Sequence, residues 1–270
     1  MVSALSSMNI AAGLLQSSSK GFDYSAVFST ASGSGSSFGP ASVGVALKQA
    51  ERDEARQLET TRKSPDVARD IARYRKVISR AKTLDDVLKD PIARKVLLGA
   101  NGLGDQSEYL GLVKKALLSD PTKADSVANK IKGVNGRWLE MVSKYNFAQF
   151  GISKLITTAG TEEIVSNYVE EKRLDTLDKQ LPGLGSAVLF KRVASTLDTP
   201  IKILGNALGR EVVTTALGLP KQLAVQSLEA QQLAIRQRMD ASKLKEPAFA
   251  DKIAQRYLIQ LNGGASGLTA

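Results

Sequence analysis

The chain has 270 residues, 43% apolar and 24% charged, and contains neither cysteine nor histidine. That length supports one sizeable core or two modest ones, and the missing residue types exclude disulfides, thiolate or imidazole metal sites, and every Cys-His or Ser-His-Asp catalytic set. General acid–base work near neutral pH would fall to a perturbed Asp, Glu or Lys, while a formal charge of +10 raises the question of an anionic partner.

From the amino terminus, Leu5, Met8, Ala12 and Leu15 recur at heptad-like spacing, enough for a short amphipathic helix. This start has no basic n-region and makes a poor secretory signal. Residues 29–45 are Ser/Gly-rich and nearly uncharged, so 1–45 is expected to be a flexible arm. Residues 46–63 alternate acids and bases at three- and four-residue spacing, which predicts an exposed charged helix or strut.

From Ser64 the punctuation is helical. Ser64-Pro65, Asp90-Pro91 and Asp120-Pro121 each put a capping side chain before a proline, with Glu246-Pro247 as a weaker version. Val67, Ile71, Tyr74 and Ile78 mark a buried stripe. AVLFKRV and REVVTT are the only competitors for strand. The expectation is an all-α protein of roughly nine to eleven helices. Its first unit covers 64–151, its second 152–262, and a disordered tail 263–270. No run of 18 apolar residues is present to span a membrane.

The two units are expected because the chain repeats itself. Residues 71–104 align without a gap on 187–220, with nine of 34 positions identical, among them Thr83/Thr199, Leu88/Leu204, Arg94/Arg210, Gly102/Gly218 and Leu103/Leu219. Tyr74 falls on Phe190, and Arg75-Lys76 on Lys191-Arg192. Further on, VANKI (127–131) matches FADKI (249–253).

The repeat bears on the glycines of LLGANGLG. A dinucleotide fingerprint runs G-x-G-x-x-G between strand and helix, whereas here the order is G-x-x-G-x-G after a helical pattern, and the second copy keeps only Gly218. Gly102 and Gly218, each followed by leucine, are therefore expected to be left-handed helix stops. No catalytic, cofactor-binding or metal-binding residue is assigned. The adjacent acids Asp85-Asp86 and Glu162-Glu163 diverge by about 100° on a helix and fall where first turns are expected, complementing the helix dipole.

Basic residues gather at RYRKVISRAK (73–82) and at Lys191-Arg192. Arg73, Arg75, Lys76, Arg80, Lys82, Lys191 and Arg192 are accordingly the candidate partner-binding patch, and solvated helix faces are the plainer explanation. Tyr74 and Phe190 could stack on bases, although they share the phase of the apolar stripe.

Residues 186–258 (SAVLFKRVASTLDTPIKILGNALGREVVTTALGLP and onward to RYL) resemble the second half of an uncharacterised alphaproteobacterial domain family, domain of unknown function twelve-seventeen. SPDVARDIARYRKVISRAKTLDDVLKD, the helix ending at GLG, DSVANKI and KYNFAQFG resemble its first half, so the likeness covers about 60–262. The resemblance implies a context among flagellar basal-body and motor genes, without any reaction or catalytic residue. The expectation is a non-enzymatic structural or assembly component of the bacterial flagellum, binding flagellar proteins or its own copies and needing no cofactor or small-molecule substrate. The amino-terminal arm then fits export through the flagellar apparatus, with a cytoplasmic location as the alternative. A basic helical module binding nucleic acid or another acidic surface is the alternative function.

Overall fold

The computed structural model of the protein describes residues 40–133 and 135–263, whose regular elements are all helices, with no strand among them. Residues 1–39 and 264–270, with the short amphipathic helix and most of the arm and tail expected from sequence, lie outside the described residues.

The helices, in chain order, are α1 (Pro40–Arg52), α2 (Glu54–Lys63), α3 (Pro65–Ile78), α4 (Leu84–Lys89), α5 (Pro91–Gly99), α6 (Leu110–Leu117), α7 (Val127–Ile131), α8 (Arg137–Tyr145), α9 (Phe147–Phe150), α10 (Ser153–Ile156), α11 (Thr158–Gln180), α12 (Leu184–Val193), α13 (Pro200–Gly205), α14 (Ala207–Ala216), α15 (Leu228–Arg236) and α16 (Pro247–Leu261). Short 3-10 turns interrupt them at Gly104–Gln106, Ala194–Thr196, Lys221–Val225 and Ala241–Lys245. There are more helices than the nine to eleven expected because residues 127–156 break into four short pieces. Both strand competitors are helical, in α12 and α14.

Local chemistry explains most of the boundaries. Thr83 and Asp86 form a capping box at the start of α4. Asp90 accepts from the amides of Ile92 and Ala93 ahead of Pro91. Ser64 and Glu246 precede α3 and α16 without a side-chain cap. Asp120-Pro121 departs from expectation. The Asp120 carboxylate accepts from the Thr122 amide and hydroxyl, closing a turn instead of starting a helix, and α7 begins later, capped by Ser126.

Two apolar cores result. In the first, Val67, Ile71, Tyr74 and Ile78 of α3 meet α4–α6, α8 and the first half of α11. The second gathers α12–α14, α16 and Leu177 near the end of α11. At about 1.5 Å per residue, the 23 residues of α11 run roughly 34 Å and serve both cores. No core boundary therefore falls at 151/152.

The segment 46–63 also divides. α2 buries no residue, as its charge predicts. In α1, by contrast, Val43, Ala46, Leu47 and Ala50 lie at i, i+3, i+4, i+7 and are buried in the second core against α16 and α12. The expected flexible arm therefore ends in ordered helix from Pro40, because four buried apolar residues outweigh the Ser/Gly composition before them.

Candidate functional site

The seven basic residues singled out from sequence do not form one surface. On α12, Lys191 is ion-paired with both Glu51 of α1 and Asp251 of α16. Arg192 pairs with Glu54 of α2 and Glu170 of α11, each at 2.7 Å. Burial works against the charge on Lys191, yet Asp251 and Glu51 hold its pKa above the ordinary value. These two cations fasten α12 to four other helices. Arg173, 1% exposed, completes the fastening. Its guanidinium donates to Glu170 at 2.8 and 3.0 Å and to Gln57 of α2 at 3.1 Å. Arg75 is turned toward α11, with Glu162 at 2.7 and 2.9 Å.

Of the rest, Arg73 and two further residues share a face. Arg69, Arg73, Lys76 and Arg80 follow one another at spacings of four, three and four, which places them in a row on α3 and just past its end. Arg69 escaped notice in the sequence because it precedes the dense basic run, although the same periodicity reveals it. Arg73 pairs with Asp90 at 2.5 Å, whereas Lys76, Arg80 and the nearby Lys82 are exposed, with no ion pair among the described residues. A groove of about 470 Å³ runs along this row, with Val77 and Ala81 among its lining residues and Lys89 across from it. The two acids that line it are already partnered, Asp90 with Arg73. Asp86 accepts from the amides of Lys82 and Thr83 at 3.0 and 2.9 Å, and Asp90 caps α5.

The groove has no aromatic platform. Tyr74 and Phe190 are fully buried, so neither can stack on a base.

A larger cleft, about 860 Å³, opens between the end of α5, α11 and the start of α12. Its wall includes the stretch Gly99–Gly104, so the glycines do face a cavity. What they accommodate is the protein's own carboxylate. A Cβ at Gly99 would stand 3.1 Å from Glu171 Oε2, and one at Gly104 would stand 2.9 Å from Oε1. Burial raises the Glu171 pKa, with Lys172, 3.1 Å from Oε2, pulling the other way. Asp105, Glu108, Glu140, Asp175 and Asp178 add further acid, against Lys95, Arg137 and Lys172. Such a wall repels phosphate.

The glycine stops behave as the sequence predicts. Gly102 has φ 66° and Gly218 φ 60°. The Gly102 and Leu103 amides donate to the carbonyls of Gly99 and Leu98, and those of Gly218 and Leu219 to Thr215 and Thr214, which is the Schellman pattern in both places. The adjacent acids are partnered, Glu162 with Arg75, Glu163 with Lys144, and Asp85 with Lys89 and Lys114. The latter pair opens α4, whereas Glu162-Glu163 lies beyond the first turn of α11. Among the described residues, no three acids converge as metal ligands and no helix is long and apolar enough to cross a membrane.

A family model described as protein of unknown function DUF1217 matches residues 100–250. The chain belongs to this family. No curated protein matches the sequence. Its fold is similar to the crystal structure of protein AGR_C_984 from Agrobacterium tumefaciens, with a TM-score of 0.67 and 24% identity over 87% of this chain and 99% of that one. At that identity the likeness establishes the shared fold.

Proposed function

We propose that this member of the family is a non-enzymatic structural or assembly component of the bacterial flagellum that works through protein–protein contacts. The flagellar context comes from the family resemblance. The observation that carries the contact role is how much apolar surface the helical body leaves uncovered. Tyr109, Val225 and Leu233 are 61, 88 and 54% exposed, large apolar side chains that burial against a partner would remove from water.

An internal duplication supports the same reading, since doubled helical units supply broad faces. Its support is local. Thr83 and Thr199 cap six-residue helices. Asp90 and Asn206 cap the next helices. Arg94 and Arg210 reach back to the carbonyls of Leu88 and Leu204 at 2.6 and 3.5 Å. Export through the flagellar apparatus, with the amino-terminal arm of residues 1–45 as the address, belongs to this proposal.

Electron microscopy and swarm assays of a deletion strain test the assignment. Loss or malformation of the basal body, hook or filament is expected, and an intact, motile flagellum overturns it.

The second reading, binding to an acidic surface, draws on the row of Lys76, Arg80 and Lys82. The buried aromatics favour an acidic protein surface over nucleic acid as its partner.

A further inference from the structure

The groove along α3 has the chemistry of a socket. Lys76 and Arg80, with no ion pair among the described residues, stand on its wall with Val77 and Ala81, and the acids that also line it, Asp86 and Asp90, are taken up by the Lys82 and Thr83 amides and by Arg73. A fitting partner segment presents carboxylates beside an exposed apolar anchor, so that charge steers the encounter and apolar burial holds it.

This chain carries such a segment. Despite its net charge of +10, Asp105 and Glu108 are exposed with no cationic partner among the described residues. Immediately beside them, Tyr109 is 61% and Leu110 40% exposed at the start of α6. Tyrosine is among the residues that most often anchor interfaces, because it buries a large rigid area for little lost freedom. The backbone presenting it is held from behind. Arg94, 8% exposed, donates at 2.6 Å to the carbonyl of Ser107, and the Tyr109 amide donates to the Gln106 carbonyl at 3.1 Å. The anchor is thus preorganised, which lowers the entropy lost on docking.

We propose that the occupant of the α3 groove is a second copy of this chain, docking through its 105–110 segment. Tyr109 and Leu110 cover Val77 and Ala81, while Asp105 and Glu108 face Lys76 and Arg80. The proposal deepens the assembly reading by naming one contact, and it is testable without reference to the flagellum.

The test uses the full chain in sedimentation equilibrium. Wild-type protein is expected to self-associate at about 20 mM salt and to dissociate progressively toward about 500 mM, as the Debye length shrinks from about 20 to about 4 Å. Lys76→Glu with Arg80→Glu breaks the socket, and Asp105→Lys with Glu108→Lys breaks the plug. Each exposed double variant should weaken self-association at least about tenfold while keeping the wild-type circular dichroism spectrum. Mixed one to one, the two variants should re-form a complex, because the mixture restores an intact plug and an intact socket.

Wild-type protein that stays monomeric at about 100 µM in low salt overturns the proposal. So does self-association indifferent to both double variants, or a mixture that fails to associate. Retention of a DNA duplex by the wild type in the absence of self-association assigns the groove to nucleic acid and likewise overturns it. A deletion strain with normal flagella would sink the flagellar assignment and leave this contact standing.

Discussion

The stretches 71–104 and 187–220 share a local order of a capped six-residue helix, a second capped helix and a glycine stop, but the helices that come after them are placed differently. After the first, α6 packs on α4, α7 and α8 and buries Val113, Ala116 and Leu117 completely. After the second, α15 rests mainly on α13 and the 221–225 turn, and among its residues only Ile235 is buried. Leu228 and Leu233 stay exposed at 44 and 54%. Similar helices thus become core in one place and surface in the other. Helical propensity is a property of the segment, whereas burial depends on whether neighbours stand opposite.

The widest expected contrast sharpens that difference. Leu117→Ala should destabilise the protein by about 3 kcal/mol, because a fully enclosed side chain leaves a cavity. Leu233→Ala should change stability by less than about 0.5 kcal/mol. Urea denaturation followed by circular dichroism measures both. Equal losses would mean that α15 is covered in solution.

A smaller contrast separates the two glycine stops. Both have positive φ, so Ala at either should cost about 1–2 kcal/mol. Gly218 has open space where a Cβ would go, but at Gly102 it would stand 2.6 Å from Arg137 Nη1. That guanidinium donates to the Gly102 carbonyl at 2.8 Å. Gly102→Ala should therefore exceed Gly218→Ala by about 1 kcal/mol, and Arg137→Ala should remove most of the excess. A double-mutant cycle on thermal unfolding reads this directly.

Acid should act on both regions alike. Hydrogen bonds from Lys114 and Lys89 depress Asp85 from 3.8 to about 2, and those from Lys202 and Lys245 depress Asp198 by the same amount. A carboxyl with a lowered folded-state pKa contributes stability above its unfolded value and loses it as pH falls toward the folded one. Stability should thus decline between pH 4 and 2. Asp85→Asn and Asp198→Asn should each flatten that slope slightly in a series of melting curves, and an unchanged slope would deny these exposed pairs any role.

Much of the cation placement was legible in outline. The three- and four-residue spacing puts Arg73, Lys76 and Arg80 in one row, because a helix of known period carries its exposed face in the sequence. Lys191 and Arg192 read the same way yet became internal fasteners. Their acids lie far off in the chain, Glu54 being 138 residues from Arg192, and no local rule reports such a pairing. Tyr109 was not visible as an anchor at all, since one aromatic beside an acid has no periodicity to mark it.

By itself the sequence determined what closes within a few residues. The caps at Thr83 and Asp90, the left-handed stops at Gly102 and Gly218, and the apolar phase of Val67, Ile71, Tyr74 and Ile78 all depend on hydrogen bonds or spacing inside a turn or two. Tertiary structure decided what faces what. It turned Gly99 and Gly104 of LLGANGLG toward the carboxylate of Glu171, drew α1 into the second core, and left α15 uncovered. Those outcomes depend on groups brought together across long loops, where burial and charge pairing, rather than backbone preference, set the free energy.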